Sequence, residues 1–447
     1  MKKGKGSAKP EQNETLTTED CKTMQLVEQQ VIDRKDPRYK LIDDAAFKSK
    51  NLYNAALYEI RQAFIHQSLY LSYEEMDKRM QQHEAYKALP AKVSQRVIKQ
   101  LADVWKAFRE AQATYKEDPS RFTGQPNLPK YKHKTKGRNL LVYTLQAVSG
   151  GETLHKRGSK NALLQGKIKP SRLPIEVKTQ QDTFTIDEVR IVPCNGYYIV
   201  EVIYSKEPVQ AQVDPSFCVA IDLGVTNLAA ITSNREGWVP RLVNGRTLKA
   251  INQWYNKRMK ELKLCLPKAE RERVTRQMER ITNKRNRQVN HYLHAASKVI
   301  IDFLVKEGVG TIIIGKNPLW KQEVNNGRHN NQNFVCIPHA RFIDILTYKA
   351  SLVGIQVELQ EESYTSQASF LDLDDIPVYK PNDVTKSTFS GKRVKRGLYR
   401  AKNGTVINAD VQGSYNILRK RRPDAFSKAK GVAGYVVHPV RLAVSTG

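Results

Sequence analysis

The sequence predicts a mixed α/β domain in its second half, preceded by a small β-barrel and a helical part. Three observations predict it. Residues 311–362 run strand, helix, strand at tight spacing, the signature of a sheet covered by helices. Short β-rich runs with turn signals such as Asn195-Gly196 fill about 140–206. Two long stretches upstream repeat apolar residues at helical spacing.

In chain order, residues 1–30 read as a disordered, basic arm. The lysines at its start are followed by no apolar core, so a secretory leader is not expected. Residues 31–45 and 125–210 are assigned to the β-barrel, and 46–124 to the helical part. Leu52, Ala56, Ile60 and Phe64 stripe one helix, and Val93, Val97, Leu101, Val104, Trp105 and Phe108 stripe the next, with Pro90 suited to its first turn. The other face of that second helix carries Lys92, Gln95, Arg96 and Lys99. Such a face is either solvated or laid on a phosphate backbone. Gly124 to Leu140 is a charged linker by its Pro and Gly content.

The α/β domain spans 211–425. "FCVAIDLG" is a short strand and "LAAITSN" alternates beside it. A basic helical hairpin follows over about 247–307, broken near Pro267 and stopped by Gly308 and Gly310. Then come strand 311–315, the helix "RFIDILTYKASLVG" and the strand "IQVELQEE". Residues 426–447 are expected to be a tail.

Lys and Arg number 74 against 45 Asp and Glu, a formal net charge of +29. That charge draws polyanions and makes nucleic acid the expected partner. No basic amphipathic helix rich in Trp or Phe supports a membrane surface instead, and no apolar run reaches the roughly 18 residues of a span. The five cysteines form no CxxC pair and are odd in number, which argues against a disulfide framework or a four-Cys zinc site.

Phosphodiester cleavage by two metal ions needs acids converging from different strand ends. Asp222 closes an apolar strand, where an unpaired acid is costly to bury, and Gly224 turns the chain just after it. It reads equally as a turn cap. Asp410 precedes a helical run, where it reads as a metal ligand or as an acid favoured by the helix dipole. Strand 311–315 ends in Gly315, which cannot serve as a ligand, and Glu323 is some eight residues on. The next strand ends in Glu361 and Glu362, at the edge where open α/β sheets place their sites. Lone His329 and His339 read as surface or turn residues.

"AIDLGVTNLAAI", "IIIGKNPLWKQ", "EESYTSQASFLD" and "GKRVKRGLYRAKNGTVINADVQGSYNIL" resemble the RuvC nuclease domain of TnpB proteins, relatives of the type V CRISPR effectors encoded by insertion sequences. "SKNLYNAALYEIRQAF", "LPAKVSQRVIKQLADVWKAF" and "PNLPKYKHK" resemble that family's N-terminal half, so the likeness covers about 30–440. The resemblance implies an RNase H-like (RuvC) domain preceded by a wedge β-barrel with an inserted helical recognition lobe. It implies a prokaryotic, cytoplasmic RNA-guided DNA endonuclease. Its guide RNA would come from the transposon end, and its target would be double-stranded DNA beside a short flanking motif. The cofactor would be two Mg²⁺ ions, with Mn²⁺ as the alternative. Carried over, Asp222 and Asp410 match the first and last acids. A subset of the family has glycine at the second position and glutamate before "SYTS", so Glu362 takes that role, with Glu361 second. Relatives' cysteine pairs are missing between Ser366 and Asp410, so zinc is not expected and 366–405 should be a metal-free, basic loop. Lys92, Gln95, Arg96 and Lys99 fall where the motif-reading helix would be. Lys392, Arg393 and Arg396, with Tyr399, resemble a strand-binding loop. A monomer is favoured. A guided repressor that no longer cuts and a compact type V CRISPR effector are the alternatives.

Overall fold

The computed structural model describes residues 15–16, 23–149, 166–181, 186–316, 336–378, 387–395, 397–426 and 432–445. Two compact units emerge: Thr23–Lys206, and Glu207–Gly447 together with the N-terminal residues. Those N-terminal residues contribute β1 (Thr15–Leu16) to the second unit.

The Thr23–Lys206 unit opens with β2 (Met24–Asp33) and the helices α1 (Tyr39–Gln67), α2 (Tyr73–Met80), α3 (Glu84–Lys87) and α4 (Ala91–Glu117). It closes with β3 (Leu141–Thr144), β4 (Val148–Ser149), β5 (Lys167–Pro170), β6 (Val177–Lys178), β7 (Ile186–Cys194) and β8 (Tyr197–Lys206). The strands form sheets β2-β8-β7-β3 and β4-β5-β6. The β7–β8 hairpin pairs Cys194 with Tyr197, leaving Asn195-Gly196 as its two-residue turn. Gly196 has φ 79°, the left-handed geometry that such turns require. Leu52, Ala56 and Ile60 of α1 share a core with Val93, Val97 and Leu101 of α4 and with Val189 and Val200 of the sheet.

Here the structure departs from two expectations. Residues 24–30, assigned to a disordered arm, build most of β2. Its outward face carries exposed Val27 and Val31, whereas Glu28 and Gln30 are half-buried. Glu28 earns its inward place by accepting hydrogen bonds from Thr179 Oγ1 (2.8 Å) and Gln180 N (3.1 Å). The inward face thus mixes Met24, Leu26 and Ile32 with Glu28 and Gln30, which blurs the alternation of an ordinary half-buried strand. The helical part also starts earlier than residue 46, at Tyr39.

The Glu207–Gly447 unit contains β9 (Asp214–Leu223), β10 (Asn227–Ser233), β11 (Arg241–Asn244), α5 (Arg246–Leu264), α6 (Arg276–Glu307) and β12 (Val309–Gly315). After them come α7 (His339–Ser351), β13 (Gln356–Gln360), β14 (Lys392–Lys395), β15 (Leu398–Arg400), β16 (Val406–Asn408), α8 (Ala409–Arg421) and β17 (Val440–Leu442). The seven-stranded sheet runs β1-β13-β12-β9-β10-β11-β17. β12 lies parallel to β9 and β13, whereas β9, β10 and β11 are antiparallel. Alternation sorts the sheet's side chains between two cores. Val219, Ile221, Ile312 and Ile314 pack with α6 and α7, while Ala220 and Ile313 pack with Val411, Tyr415 and Ile417 of α8. Helices therefore cover both faces.

Two more expectations are corrected. Residues 426–447 are not simply a tail. Phe426 is buried against Phe370 and Tyr415, and β17 extends the sheet parallel to β11. The 366–405 segment is more than a loop, because β14, β15 and β16 form a three-stranded sheet. Asp374 pins it by accepting from Ser369 N (2.8 Å), Ser390 N (2.9 Å) and Ser390 Oγ (2.5 Å). Asp372 ties Ser369 Oγ to Lys402 N. Among the described residues no helix is long and apolar enough to cross a membrane.

Candidate active site

Asp222, one residue before the end of β9, lies on the face that meets α8, because Ala220, two residues back, packs in that core. Helix α8 approaches closely there. Ser414 Oγ donates to Ala220 O (2.9 Å), and a Cβ placed on Gly413 would stand 2.6 Å from Asp222 Oδ2. Asp410 lies in the first turn of the same helix. The Asn408 side chain caps that helix by accepting from Asp410 N (3.0 Å) and Val411 N (3.2 Å). Asp410 Oδ2 accepts from Asn227 Nδ2 at 2.7 Å.

The register locates the third acid. Ile314 pairs with Ile221, and Gly315 pairs with Gln360. Gly315 is therefore the next residue on β12, as Asp222 is on β9. Past Gln360 the chain leaves the strand, and Glu362 folds back over Gly315. A Cβ on Gly315 would overlap Glu362 Oε2 and come within 2.6 Å of Ile417 Cδ1. The Glu362 carboxylate thus fills the space that a side chain at 315 would need.

Asp222, Glu362 and Asp410 are each half-buried. Burial, then the charge of Asp410, pushes Asp222 up to about 7, against a smaller pull from Arg393. Burial, then the charges of Asp222 and Glu361, pushes Glu362 up to about 8. The three acids therefore form two interacting pairs that share Asp222. Among the described residues, no three Asp, Glu, His or Cys side chains stand close enough in this arrangement to grip a single ion.

Glu361 is placed differently. Burial raises its carboxyl, but hydrogen bonds from Lys420 and Ser363 outweigh that and hold it below the usual range. Its carboxylate accepts from Ser363 N (2.6 Å) and pairs with Lys420 Nζ, whose side chain is 8% exposed. His339, expected at a surface or turn, is fully buried, and its ring Nε2 hydrogen-bonds Gly224 O (3.2 Å). His329 and Glu323 lie outside the described residues. Sequence reasoning missed Asn227 and Gly413. Their only signal was proximity, five residues after one acid and three after another.

Two family models match the chain. One, described as "Probable transposase", covers residues 200–320. The other, described as "Cas12f1-like, TNB domain", covers residues 339–417. A curated relative, the TnpB-like protein ORF457 of Acidianus two-tailed virus, is 24% identical over 241 residues. That match takes in 51% of this chain and 47% of the relative, so the chain spans about half the length of the relative. Among solved structures, a Cas12f1–sgRNA–target DNA complex superposes with a TM-score of 0.51 at 16% identity, over 85% of this chain and 81% of that one. These matches make the chain similar to TnpB and Cas12f1 proteins. Its fold is the TnpB/Cas12-like one, with the mixed α/β architecture described above.

The acids fall in both matched segments: Asp222 in the first, Glu362 and Asp410 in the second. The second segment also carries the β14–β16 sheet. Lys392 and Arg393 are exposed on β14, and Arg396 lies outside the described residues. Tyr399, expected beside them as a stacking group, is 1% exposed, and its hydroxyl donates to Gln367 O (2.8 Å). It serves the core. In the Thr23–Lys206 unit, α4 brings Lys92, Gln95, Arg96 and Lys99 together on the wall of a cavity of about 680 Å³, with Tyr73 and Asp187. Arg96 is tied to Glu188 (2.7 Å), and Lys99 lies 3.5 Å from Asp103.

Proposed function

We propose that this chain is a transposon-encoded, RNA-guided DNA endonuclease that cuts double-stranded DNA beside a short flanking motif by metal-dependent hydrolysis. The single observation that carries the reading is the meeting of Asp222, Glu362 and Asp410 from three separate elements, with Asp222 interacting with both others. The donor set fits Mg²⁺ or Mn²⁺. It consists of oxygens only, which suits a hard cation, and its like charges repel until a cation neutralises them. Asp222 with Glu362, and Asp222 with Asp410, would hold the two ions. Bound metal supplies an activated water and stabilises the leaving oxygen.

The chain's own residues do the rest. The Gly315 and Gly413 clearances seat the carboxylates, and exposed Arg393 supplies positive charge toward Asp222. The family likeness and the formal net charge of +29 support nucleic acid as partner, with sequence read by base pairing to a guide. In this reading the Lys92–Lys99 face of α4 meets the flanking motif, and the setting is the prokaryotic cytosol.

The glycine at 315 favours a guided repressor that binds without cutting. The Glu362 carboxylate lying over that glycine weighs against it. The test is cleavage of a plasmid carrying a matched target, by protein purified with its co-expressed RNA, in Mg²⁺. Glu362→Gln should abolish cutting and keep target binding. Wild-type cutting by Glu362→Gln ends the assignment of Glu362, and a wild-type complex that binds but never cuts ends the nuclease reading.

A further inference from the structure

We infer that Asn227 is a positioning residue for Asp410, fixing the carboxylate's orientation without cancelling its charge. The inference rests on the metal-dependent reading of the site. Asn227 is 9% exposed, and its Nδ2 donates to Asp410 Oδ2 at 2.7 Å, across 183 residues of chain. Helix capping by Asn408 fixes the main chain at Asp410 but leaves the carboxylate free to rotate. The Asn227 amide engages one carboxylate oxygen and leaves the other for a cation. A lysine in its place would orient the acid but neutralise it. A neutral amide orients it at every working pH.

The support behind Asn227 is itself fixed. Asn227 follows the tight β9–β10 turn and begins β10. The turn is held by Gly245 N, between β11 and α5, to Thr226 O (2.9 Å) and from α7 by the His339 ring to Gly224 O (3.2 Å). One turn thus links the strand bearing Asp222 to the helix bearing Asp410. Partners that orient metal-binding carboxylates typically change metal affinity or activity 10–100-fold when removed.

Asn227→Ala should therefore lower cleavage by roughly 10–100-fold and raise the Mg²⁺ concentration for half-maximal cutting. Target binding should stay at the wild-type level. A second readout does not use activity. Mn²⁺ binding to the RNA-loaded complex is followed by electron paramagnetic resonance, with the Asp410→Asn complex as the background. Asn227→Ala should bind Mn²⁺ about tenfold or more weakly. Asn227→Asp, of equal size but with a second carboxylate facing Asp410, should cut more poorly than Asn227→Ala, and it covers the case in which the alanine variant fails to fold. Wild-type Mn²⁺ affinity and wild-type Mg²⁺ dependence in both variants overturn the inference. If the wild-type complex binds Mn²⁺ but cuts nothing, the nuclease reading falls, and the Mn²⁺ arm still decides the role of Asn227.

Discussion

Replacing Gly315 by alanine tests the packing of the site with one methyl group. The backbone at Gly315 is ordinary strand with no positive φ, so the clash alone is read out. The new Cβ would stand 2.6 Å from Ile417 Cδ1 and overlap the Glu362 carboxylate. Carbon atoms rest about 3.5–4.0 Å apart, so something must shift by roughly 1 Å. Ile417 is fully buried on the helix that carries Asp410, which leaves the Glu362 carboxylate as the group freest to move. A misplacement of about 1 Å at a reacting centre costs on the order of 100-fold in rate. Overpacking a full core costs about 1–3 kcal/mol, read as a drop in Tm of roughly 3–10 °C for a unit of this size. The assay compares plasmid cleavage, band-shift target binding and melting of RNA-loaded wild type and Gly315→Ala. Slower cutting with intact binding is expected. A variant that cuts within twofold of wild type and melts at the same temperature would show that Glu362 does not occupy this space.

Glu361→Gln should keep cutting but lower stability by about 1–3 kcal/mol, because the Lys420 ammonium is left without its counter-charge; a dead but stable variant would reverse the roles of the two glutamates. Asp222 and Glu362 hold their protons more tightly folded than unfolded, so the metal-free protein should lose stability as pH rises from the usual carboxylate range through about 7 and about 8. Melting curves of wild type and Asp222→Asn across that window should diverge, with the variant flatter and Mg²⁺ flattening the wild type; parallel curves would rule the effect out. Asp374→Ala removes the acceptor shared by Ser369 and Ser390 and should destabilise the β14–β16 sheet by about 1–3 kcal/mol, seen as faster amide exchange there. Lys92→Ala and Lys99→Ala should each reduce the salt dependence of target binding by a slope of roughly 1, and unchanged slopes would remove α4 from the interface.

The strand–helix–strand core was legible because Ile312–Ile314 is an apolar run and Val357 and Leu359 alternate with polar residues at the right spacing beyond it. Asp222 and Asp410 stood out as single acids beside apolar residues. β2 escaped because Glu28 and Gln30 interrupt its inward face between Leu26 and Ile32, with Glu28 made tolerable by partners some 150 residues away. β17 escaped because a three-residue strand carries little pattern. The choice between Glu361 and Glu362 was beyond strand alternation, since the ladder stops at Gln360 and the turn after it aims both side chains. Tyr399 misled because its basic neighbours in sequence said nothing of the core into which it is folded, and His339 because a lone histidine carries no pattern that marks it as buried.

Gly315 and Glu362 also constrain how such a site can be rebuilt. A side chain at 315 and the present glutamate compete for one volume. Moving the acid from one strand tip to the other by single substitutions therefore leads through a crowded double-acid form or a form with neither, and only a paired exchange avoids both.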